Sequence, residues 1–169
     1  MADIYSKKRR SEVMSCIHGY GNQTTELELV RLFRMNHITG WRRHLKLNFR
    51  KACLMKSVSG KGPQQEHSNM EKRRSLRVVV RPDFVFPRSR IAVFVDGCFW
   101  HCCPKHSKLP CQNRIFWKKK LAKNVARDRF INRFLRDAGW QVIRIWEHDL
   151  ALPTDRCVLR VRLQLNRRS

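Results

Sequence analysis

The first clear periodicity of hydrophobic positions along the chain is helical and falls in TTELELVRLFRMN, residues 24–36. The apolar face of this helix consists of Leu29, Val30 and Phe33. Thr25 is a candidate N-cap, and Glu28 follows at the spacing of a capping box. Glu26 shares the apolar face, so it is either a buried carboxylate that needs a partner or a hydrated residue near the positive end of the helix dipole.

Runs of β-branched and apolar residues predict strands after this helix. GWRRHLKLNF is interpreted as a strand that follows a glycine turn. LRVVVRPDFVF and RIAVFVDG, joined by the turn PRSR, predict an antiparallel hairpin at the centre of a sheet. Pro82 interrupts the first of these runs, which predicts a bulge or bend that re-aims the next side chain, Asp83.

The C-terminal half begins with a helical pattern over about residues 114–138, which Gly139 ends. Its apolar stripe consists of Trp117, Leu121, Val125, Ile131, Leu135 and Ala138. WQVIRIW predicts a strand that leads to Glu147 and His148, and RCVLRVRLQLNRRS predicts a short basic helix or strand. This order of elements predicts an α/β fold in which helices flank a mixed β-sheet.

The length and composition of the chain favour one domain. With 169 residues, of which 42% are hydrophobic, the chain has material for one core. We expect a basic N-terminal arm over 1–23, a folded domain over 24–150 and a basic C-terminal tail over 151–169. Within the domain, the polar and lysine-rich residues 51–75 predict a long loop or a disordered insertion.

The charge of the chain indicates its class of partner. A formal net charge of +24 favours a polyanion, and nucleic acid is the leading candidate; an anionic membrane surface or a merely basic protein are the alternatives. The sequence has no apolar run of membrane-spanning length and no signal-peptide pattern, so we expect an intracellular protein. In a reducing compartment, its seven cysteines favour metal ligands or free thiols over disulfides.

The segment FVDGCFWHCCPKH, residues 94–106, concentrates zinc-binding residue types. Three donors lie within nine residues, namely Cys98, Cys103 and His106. His148 is well placed as the fourth ligand if the last strand neighbours the strand before this segment. Cys102 and Cys111 compete for a place in the site, and small buried thiols beside a surface histidine are the alternative to zinc.

Acidic residues at strand ends predict a second metal site. Asp83 and Asp96 each lie at the end of a strand of the predicted hairpin, where carboxylate oxygens suit a hard divalent cation. His101 follows at a position from which it could accept a proton from water. Capping of turns by the aspartates is the alternative.

The two long segments RPDFVFPRSRIAVFVDGCFWHCCPKH and FWKKKLAKNVARDRFINRFLRDAGWQVIRIWEHDL resemble the very-short-patch repair (Vsr) DNA mismatch endonuclease family. The resemblance covers about residues 5–46 and 77–150. It implies a restriction-endonuclease-like fold with a structural zinc site. The implied activity is Mg2+-dependent nicking of one DNA strand next to a T·G mismatch.

The resemblance also implies roles for individual residues. The metal-binding aspartate of the family falls on Asp83, its catalytic histidine on His101 and its helical glutamate on Glu26. Val95 would offer a backbone carbonyl to magnesium. Asp96, at an active-site position that some members fill with histidine, is either an acid of the metal shell or an orienting group. The implied zinc ligands are Cys98, Cys103, His106 and His148.

Four side chains are implied in DNA recognition by the same resemblance. Phe99, Trp100 and Trp117 would wedge into the base stack beside the mismatch, and Met14 would approach from the other groove. Core packing is the alternative for Trp117. The link over residues 51–75 is longer than the corresponding link in the family, so the strand register near it is open.

The sequence therefore predicts a mismatch-directed DNA nicking enzyme with catalytic Mg2+ and structural Zn2+. We expect a cytoplasmic, nucleoid-associated monomer that binds double-stranded DNA with a T·G mismatch and acts alongside other mismatch-repair proteins. One alternative is a homing-type or restriction-type endonuclease that cuts matched DNA. The other is a zinc-stapled DNA-binding module without catalysis.

Overall fold

The computed structural model describes residues 25–51, 76–151 and 156–167. The predicted N-terminal arm, and with it Met14, lies outside the described residues, as do residues 52–75 of the predicted insertion. The chain divides into two compact units, one formed by residues 46–81 and the other by the rest of the chain.

Ten helices and strands are described in the two units. In chain order they are α1 (Glu26–Met35), β1 (Arg42–Arg43), β2 (Leu47–Lys51), β3 (Leu76–Val80), β4 (Phe84–Phe86), β5 (Ile91–Asp96), α2 (Arg114–Asp137), β6 (Gln141–Trp146), α3 (Glu147–Leu150) and α4 (Arg156–Asn166). The predictions of α1, of α2 with its end at Gly139, and of β6 are confirmed.

The larger unit contains a mixed four-stranded sheet in the order β1-β4-β5-β6. β4 pairs antiparallel with β1 on one side and with β5 on the other, as the predicted central hairpin requires. β5 and β6 are parallel, and their register runs from Ile91 opposite Gln141 to Asp96 opposite Trp146. Both strands therefore end at the same edge of the sheet.

The smaller unit contains β2 and β3, which pair antiparallel with Leu47 opposite Val80. Two runs interpreted as single strands are thus each divided between two sheets, and that part of the prediction is wrong. The first run breaks at His44, whose φ of 50° lies in the left-handed region and whose N–H donates to the Asp83 carbonyl. The second breaks at Pro82, which has no N–H to donate to a strand.

Helices cover both faces of the four-stranded sheet. On one face, α1 and α4 share a core with the sheet, formed by Leu29, Val30, Phe33, Ile91, Val93, Ile143, Ile145, Cys157, Val158 and Val161. The segment expected as a basic tail thus contains a helix that contributes three side chains to this core. Because successive side chains of a strand point to opposite faces, Phe94, Asp96 and Arg144 lie on the other face of the sheet. There, Arg144 contacts Asp128 and Asn132 of α2.

The N-terminus of α1 differs from its predicted capping box. Thr25 has φ −125° and ψ −83°, outside the extended region of an N-cap, and its side chain makes no capping hydrogen bond. Glu28 instead accepts hydrogen bonds from Arg31 at 2.6 and 3.0 Å. Of the two alternatives left open for Glu26, the structure shows the buried carboxylate, because only 5% of this residue is exposed.

Candidate active site and metal centre

Asp83 lies directly before β4 and faces the end of β5. Its Oδ2 accepts a hydrogen bond from the Val95 N–H at 2.8 Å. Burial raises the pKa of the Asp83 carboxyl to about 6, and the carboxylates of Glu26 and Asp96 act in the same direction, whereas the Val95 N–H and His101 oppose the shift. A group whose charged form is disfavoured by its surroundings is well suited to bind a cation that neutralises it.

Glu26 and Asp83 form a group of possible metal ligands together with His44, a histidine that sequence reasoning missed. His44 Nε2 lies 3.0 Å from Glu26 Oε2, and the same oxygen accepts a hydrogen bond from Arg43 at 2.8 Å. One donor atom from each of Glu26, His44 and Asp83 lies within 4.8 Å of the others. His44 was hidden because it lay in a run interpreted as a strand, whereas its left-handed backbone in fact ends that run.

His101 is held by an aspartate of α2 that was also missed. His101 Nδ1 lies 2.6 Å from Asp128 Oδ2 and 3.6 Å from Asp96 Oδ1. A proton on Nδ1 that is shared with Asp128 leaves Nε2 as the basic nitrogen of the ring, as in other histidines oriented by a carboxylate. The arrangement suits His101 to accept a proton from water.

Asp96 is paired with a guanidinium. Its two oxygens accept hydrogen bonds from Arg144 Nε and Nη2 at 2.5 and 2.6 Å, and only 3% of the Asp96 side chain is exposed. Arg144 comes from the adjacent strand β6. The two acids predicted to converge at this edge therefore differ, because Asp83 accepts a backbone N–H while Asp96 is neutralised by Arg144.

A group of sulfur and nitrogen donors lies beside this edge of the sheet. It consists of Cys98, Cys103 and His106 in the loop after β5 and His148 in α3. The donor atoms lie within 4.8 Å of one another, and His148 Nδ1 is 3.2 Å from Cys98 Sγ and 3.7 Å from Cys103 Sγ. Zinc bonds of about 2.0–2.3 Å in a tetrahedron separate the ligands by roughly 3.3–3.8 Å, so these donors fit a zinc ion.

The two cysteines that competed for a place in the zinc site, Cys102 and Cys111, lie outside this group. Cys102 is half-buried and Cys111 is exposed, and neither belongs to the donor cluster of the described residues. Burial raises the pKa of the Cys98 thiol, and the nearby Cys103 and Glu147 add to the rise. A thiolate at Cys98 thus needs a compensating cation.

Three aromatic side chains predicted to recognise DNA pack together next to these donors. The ring centroids of Phe99 and Trp100 are 5.1 Å apart, and those rings lie 5.3 and 5.9 Å from the ring of Trp117. Trp117 is only 8% exposed, which supports the core-packing interpretation for this residue. Phe99 and Trp100 are only partly buried, and Lys120 Nζ lies 5.1 Å from the centre of the Trp100 ring.

Exposed positive charge continues from this cluster along α2. The exposed basic residues of its first half include Lys118, Lys119, Lys120 and Lys123. Together with the net charge of +24, this surface suits a polyanionic ligand. In the part of the chain that is described, no helix has the length and hydropathy needed to cross a membrane.

Comparisons with known proteins agree with this chemistry. The type II nicking enzyme V.NaeI of Lentzea aerocolonigenes is 53% identical over 72 residues, which cover 43% of this chain and 43% of that relative. The type II nicking enzyme V.NmeDIP of Neisseria meningitidis serogroup C is 34% identical over 124 residues, or 67% of this chain and 83% of the relative. The DNA mismatch endonuclease Vsr of Escherichia coli (strain K12) is 43% identical over 68 residues, or 40% of this chain and 44% of the relative.

The match to V.NaeI and the match to the Escherichia coli enzyme each span less than half the length of the relative. A family model described as DNA mismatch endonuclease Vsr matches residues 2–107, which is more than half of this chain. The chain therefore belongs to the Vsr family of DNA mismatch endonucleases, as its sequence predicted.

Proposed function

We propose that this protein is a metal-dependent DNA endonuclease that nicks one strand next to a T·G mismatch, as in very-short-patch repair. The observation that carries the proposal is the presence, at one edge of the sheet, of a buried carboxyl group suited to bind a cation, Asp83, and a histidine oriented by a carboxylate, His101. Asp83 has its pKa raised to about 6, and His101 Nδ1 lies 2.6 Å from Asp128. These are the two groups that metal-assisted hydrolysis of a phosphodiester needs.

In the proposed reaction, the Asp83 carboxylate and the Val95 carbonyl would hold Mg2+. When bound, this ion would neutralise charge on the scissile phosphate and increase the acidity of water. His101 Nε2 accepts the proton of the attacking water while Asp128 holds the proton on Nδ1 and stabilises the imidazolium. The water oxygen forms a bond to phosphorus, the bond from phosphorus to the leaving oxygen of the strand breaks, and this oxygen leaves as an alkoxide that takes up a proton from solvent water.

Glu26 has a supporting part in this proposal. Its side chain is buried and receives Arg43 and His44 on one oxygen, at 2.8 and 3.0 Å. Its negative charge contributes to the raised pKa of Asp83, and a cation at Asp83 would relieve that repulsion. We propose that the negative charge of Glu26 increases the affinity of the Asp83 site for a divalent cation.

We further propose that the mixed sheet is a restriction-endonuclease-like core and that Cys98, Cys103, His106 and His148 hold a structural Zn2+. The proposal is supported by donor spacings of 3.2–3.7 Å, close to the edges of a zinc tetrahedron. The ion would tie the loop after β5 to α3. His101 lies within that loop, so the same ion would limit its movement.

Mismatch recognition is assigned to the aromatic cluster. We propose that Phe99 and Trp100 enter the base stack, while the buried Trp117 holds them in place by packing against both rings. Unstacking a base step costs a few kcal/mol and costs less at a mismatch, so insertion would favour the mismatched duplex. Two observations support a DNA partner, namely the exposed lysines of α2 and the name of the Escherichia coli relative, a DNA mismatch endonuclease.

The test is nicking of paired oligonucleotide duplexes that differ only in a T·G or T·A pair, with Mg2+ present. We expect a single nick in one strand of the T·G duplex and little cutting of the T·A duplex. Equal cutting of both duplexes would favour the homing-type or restriction-type alternative. Tight DNA binding without any cutting would favour a non-catalytic zinc-stapled module.

A further inference from the structure

The guanidinium of Arg144 joins three elements of the active-site edge. Arg144 lies on β6 and hydrogen-bonds both oxygens of Asp96 at the end of β5. From α2, Asp128 Oδ1 lies 3.2 Å from its Nη2 and Asn132 Oδ1 lies 3.2 Å from its Nη1. The guanidinium carbon also lies 5.1 Å from the centre of the Phe94 ring. The Arg144 side chain is 19% exposed, so these contacts restrict it strongly.

Asp128 connects this guanidinium to His101. One oxygen of Asp128 lies 2.6 Å from His101 Nδ1, and the other lies 3.2 Å from Arg144 Nη2. A carboxylate fixed at both oxygens has one orientation, so the position of the imidazole depends on Arg144 as well as on Asp128. Arg144 acts on His101 mainly through Asp128, because the direct distance from Arg144 Nη2 to His101 Nδ1, 3.4 Å, is longer than either distance to Asp128.

Asp96 is the competing acceptor for the same histidine proton. Its Oδ1 lies 3.6 Å from His101 Nδ1, against 2.6 Å for Asp128. Arg144 hydrogen-bonds both oxygens of Asp96 and so makes Asp96 the weaker acceptor of the two. The pair also leaves Asp96 poorly suited to bind a metal, since each of its oxygens already accepts a hydrogen bond from Arg144, at 2.5 and 2.6 Å, and the positive guanidinium repels a cation.

We propose that Arg144 is a positioning residue for His101, and that Asp96 serves as the counterion of Arg144 instead of as a metal ligand. This inference rests on the proposed function, in which His101 accepts the proton. Arg144 fixes the orientation of Asp128 and is itself paired with Asp96. As a result, the imidazole of His101 keeps its proton on Nδ1, towards Asp128, and its basic nitrogen Nε2 lies on the opposite side of the ring.

The first experiment measures kcat, KM and binding of the T·G duplex for wild type and Arg144→Met. We expect kcat to fall by about tenfold or more, the size of effect seen when supporting groups around catalytic sites are removed. We expect KM and duplex affinity to stay close to wild type. A kcat unchanged in a folded Arg144→Met variant would overturn the proposal.

A double variant covers the case in which Arg144→Met leaves the buried Asp96 carboxylate without its guanidinium and the protein fails to fold. Asp96→Asn combined with Arg144→Met removes the ion pair as a unit. If Arg144 positions His101, this folded double variant still has a reduced kcat, because Asp128 has lost its second partner. If the pair only fastens β5 to β6, the double variant recovers the wild-type kcat, and the proposal fails.

A spectroscopic measurement separates this proposal from the proposed function. In the 15N-labelled, zinc-loaded protein, the imidazole signals of His101 are assigned with His101→Gln, and we expect the Nδ1–H tautomer in wild type and a tautomer mixture in the double variant. Arg127→Met is the matched control, because its 60% exposed side chain reaches no closer than 3.9 Å to Asp128. It should keep the wild-type tautomer.

The role of Asp96 has its own measurement, the Mg2+ concentration that gives half-maximal nicking. We expect Asp96→Asn to leave this concentration unchanged, while a rise of tenfold or more would make Asp96 a metal ligand and overturn its assignment as a counterion. If wild type does not nick the T·G duplex, the proposed function fails, and the tautomer measurement still tests Arg144. If wild type nicks and its tautomer equals that of the double variant, only the positioning role fails.

Discussion

Replacing Asp83 with Asn is expected to stabilise the magnesium-free protein while it abolishes nicking. Burial raises the pKa of Asp83 from 3.8 to about 6, with the carboxylates of Glu26 and Asp96 adding to the effect. A shift of about 2 pKa units corresponds to about 3 kcal/mol between the protonated and charged forms. Asn has no charge to bury and retains a carbonyl oxygen for the Val95 N–H.

The sign of the pH dependence follows from the direction of the shift. Between pH 3.8 and about 6, the folded protein retains a proton on Asp83 that the unfolded chain has released. Asp83 therefore lowers the stability of wild type as the pH rises through this window. The advantage of Asp83→Asn should be about 1.5 kcal/mol at pH 5 and reach an upper limit of about 3 kcal/mol at pH 7.5.

The assay is urea unfolding of wild type and Asp83→Asn at pH 5 and pH 7.5 in magnesium-free, zinc-containing buffer. The quantity compared is the difference in the free energy of unfolding, so other titrating groups cancel between the two proteins. Asp137→Asn, which removes an exposed carboxylate at the end of α2, is the matched control. Added Mg2+ should stabilise wild type and have little effect on Asp83→Asn.

Two results would refute this reasoning. An Asp83→Asn variant less stable than wild type at pH 7.5 would mean that the buried carboxylate is not under electrostatic strain. Wild-type nicking by the same variant would mean that Asp83 does not bind the catalytic metal. Duplex affinity should change little, since the substitution removes a metal ligand and no phosphate contact.

The remaining predictions concern zinc, recognition and the core. The purified protein should contain about one zinc per chain; metal analysis and thermal melting should show that Cys103→Ser loses the ion and stability, whereas Cys111→Ser, outside the donor group, retains both. Trp100→Ala should lower the ratio of nicking rates on T·G and T·A duplexes by the equivalent of roughly 1–3 kcal/mol, and an unchanged ratio, as expected for the exposed Phe130→Ala, would show that Trp100 does not read the mismatch. Leu29→Ala, at a fully buried position, should cost about 2–5 kcal/mol in urea unfolding, and a cost below 1 kcal/mol would contradict the described core.

The elements with a strong period could be predicted from the sequence because burial imposes that period. α2 begins at Arg114 and ends at Asp137, and Gly139 follows with a φ of 79°, as a glycine after a helix suggests. The position of Glu26 on the apolar face of α1 also followed from the helical period, and its side chain is buried. Local sequence patterns thus predicted an element correctly where burial of one of its faces dictates which positions are apolar.

Partners that lie far apart in the chain could not be predicted from local patterns. Asp128 and Asn132 are not part of the apolar stripe predicted for α2, and nothing in their local sequence indicates that both contact Arg144. One signal was available: Asn124, Asp128 and Asn132 recur every fourth residue, which places three short polar side chains on one face of the helix. Asn124 also contacts the site, because its amide donates to the Trp100 carbonyl at 3.1 Å.

The register of β5 against β6 connects the two candidate metal sites and the Arg144 network. Because the strands are parallel and Asp96 lies opposite Trp146, the loop that carries Cys98 and the short helix that carries His148 leave the sheet at the same edge. A slip of one residue would turn Arg144 towards the apolar core and separate it from Asp96. The alternation that prevents this slip is visible in the sequence of β6, QVIRIW, where Ile143 and Ile145 face the core of α1 and α4 and Arg144 points to α2. The burial of two isoleucines therefore fixes the strand register on which the proposed orientation of His101 depends.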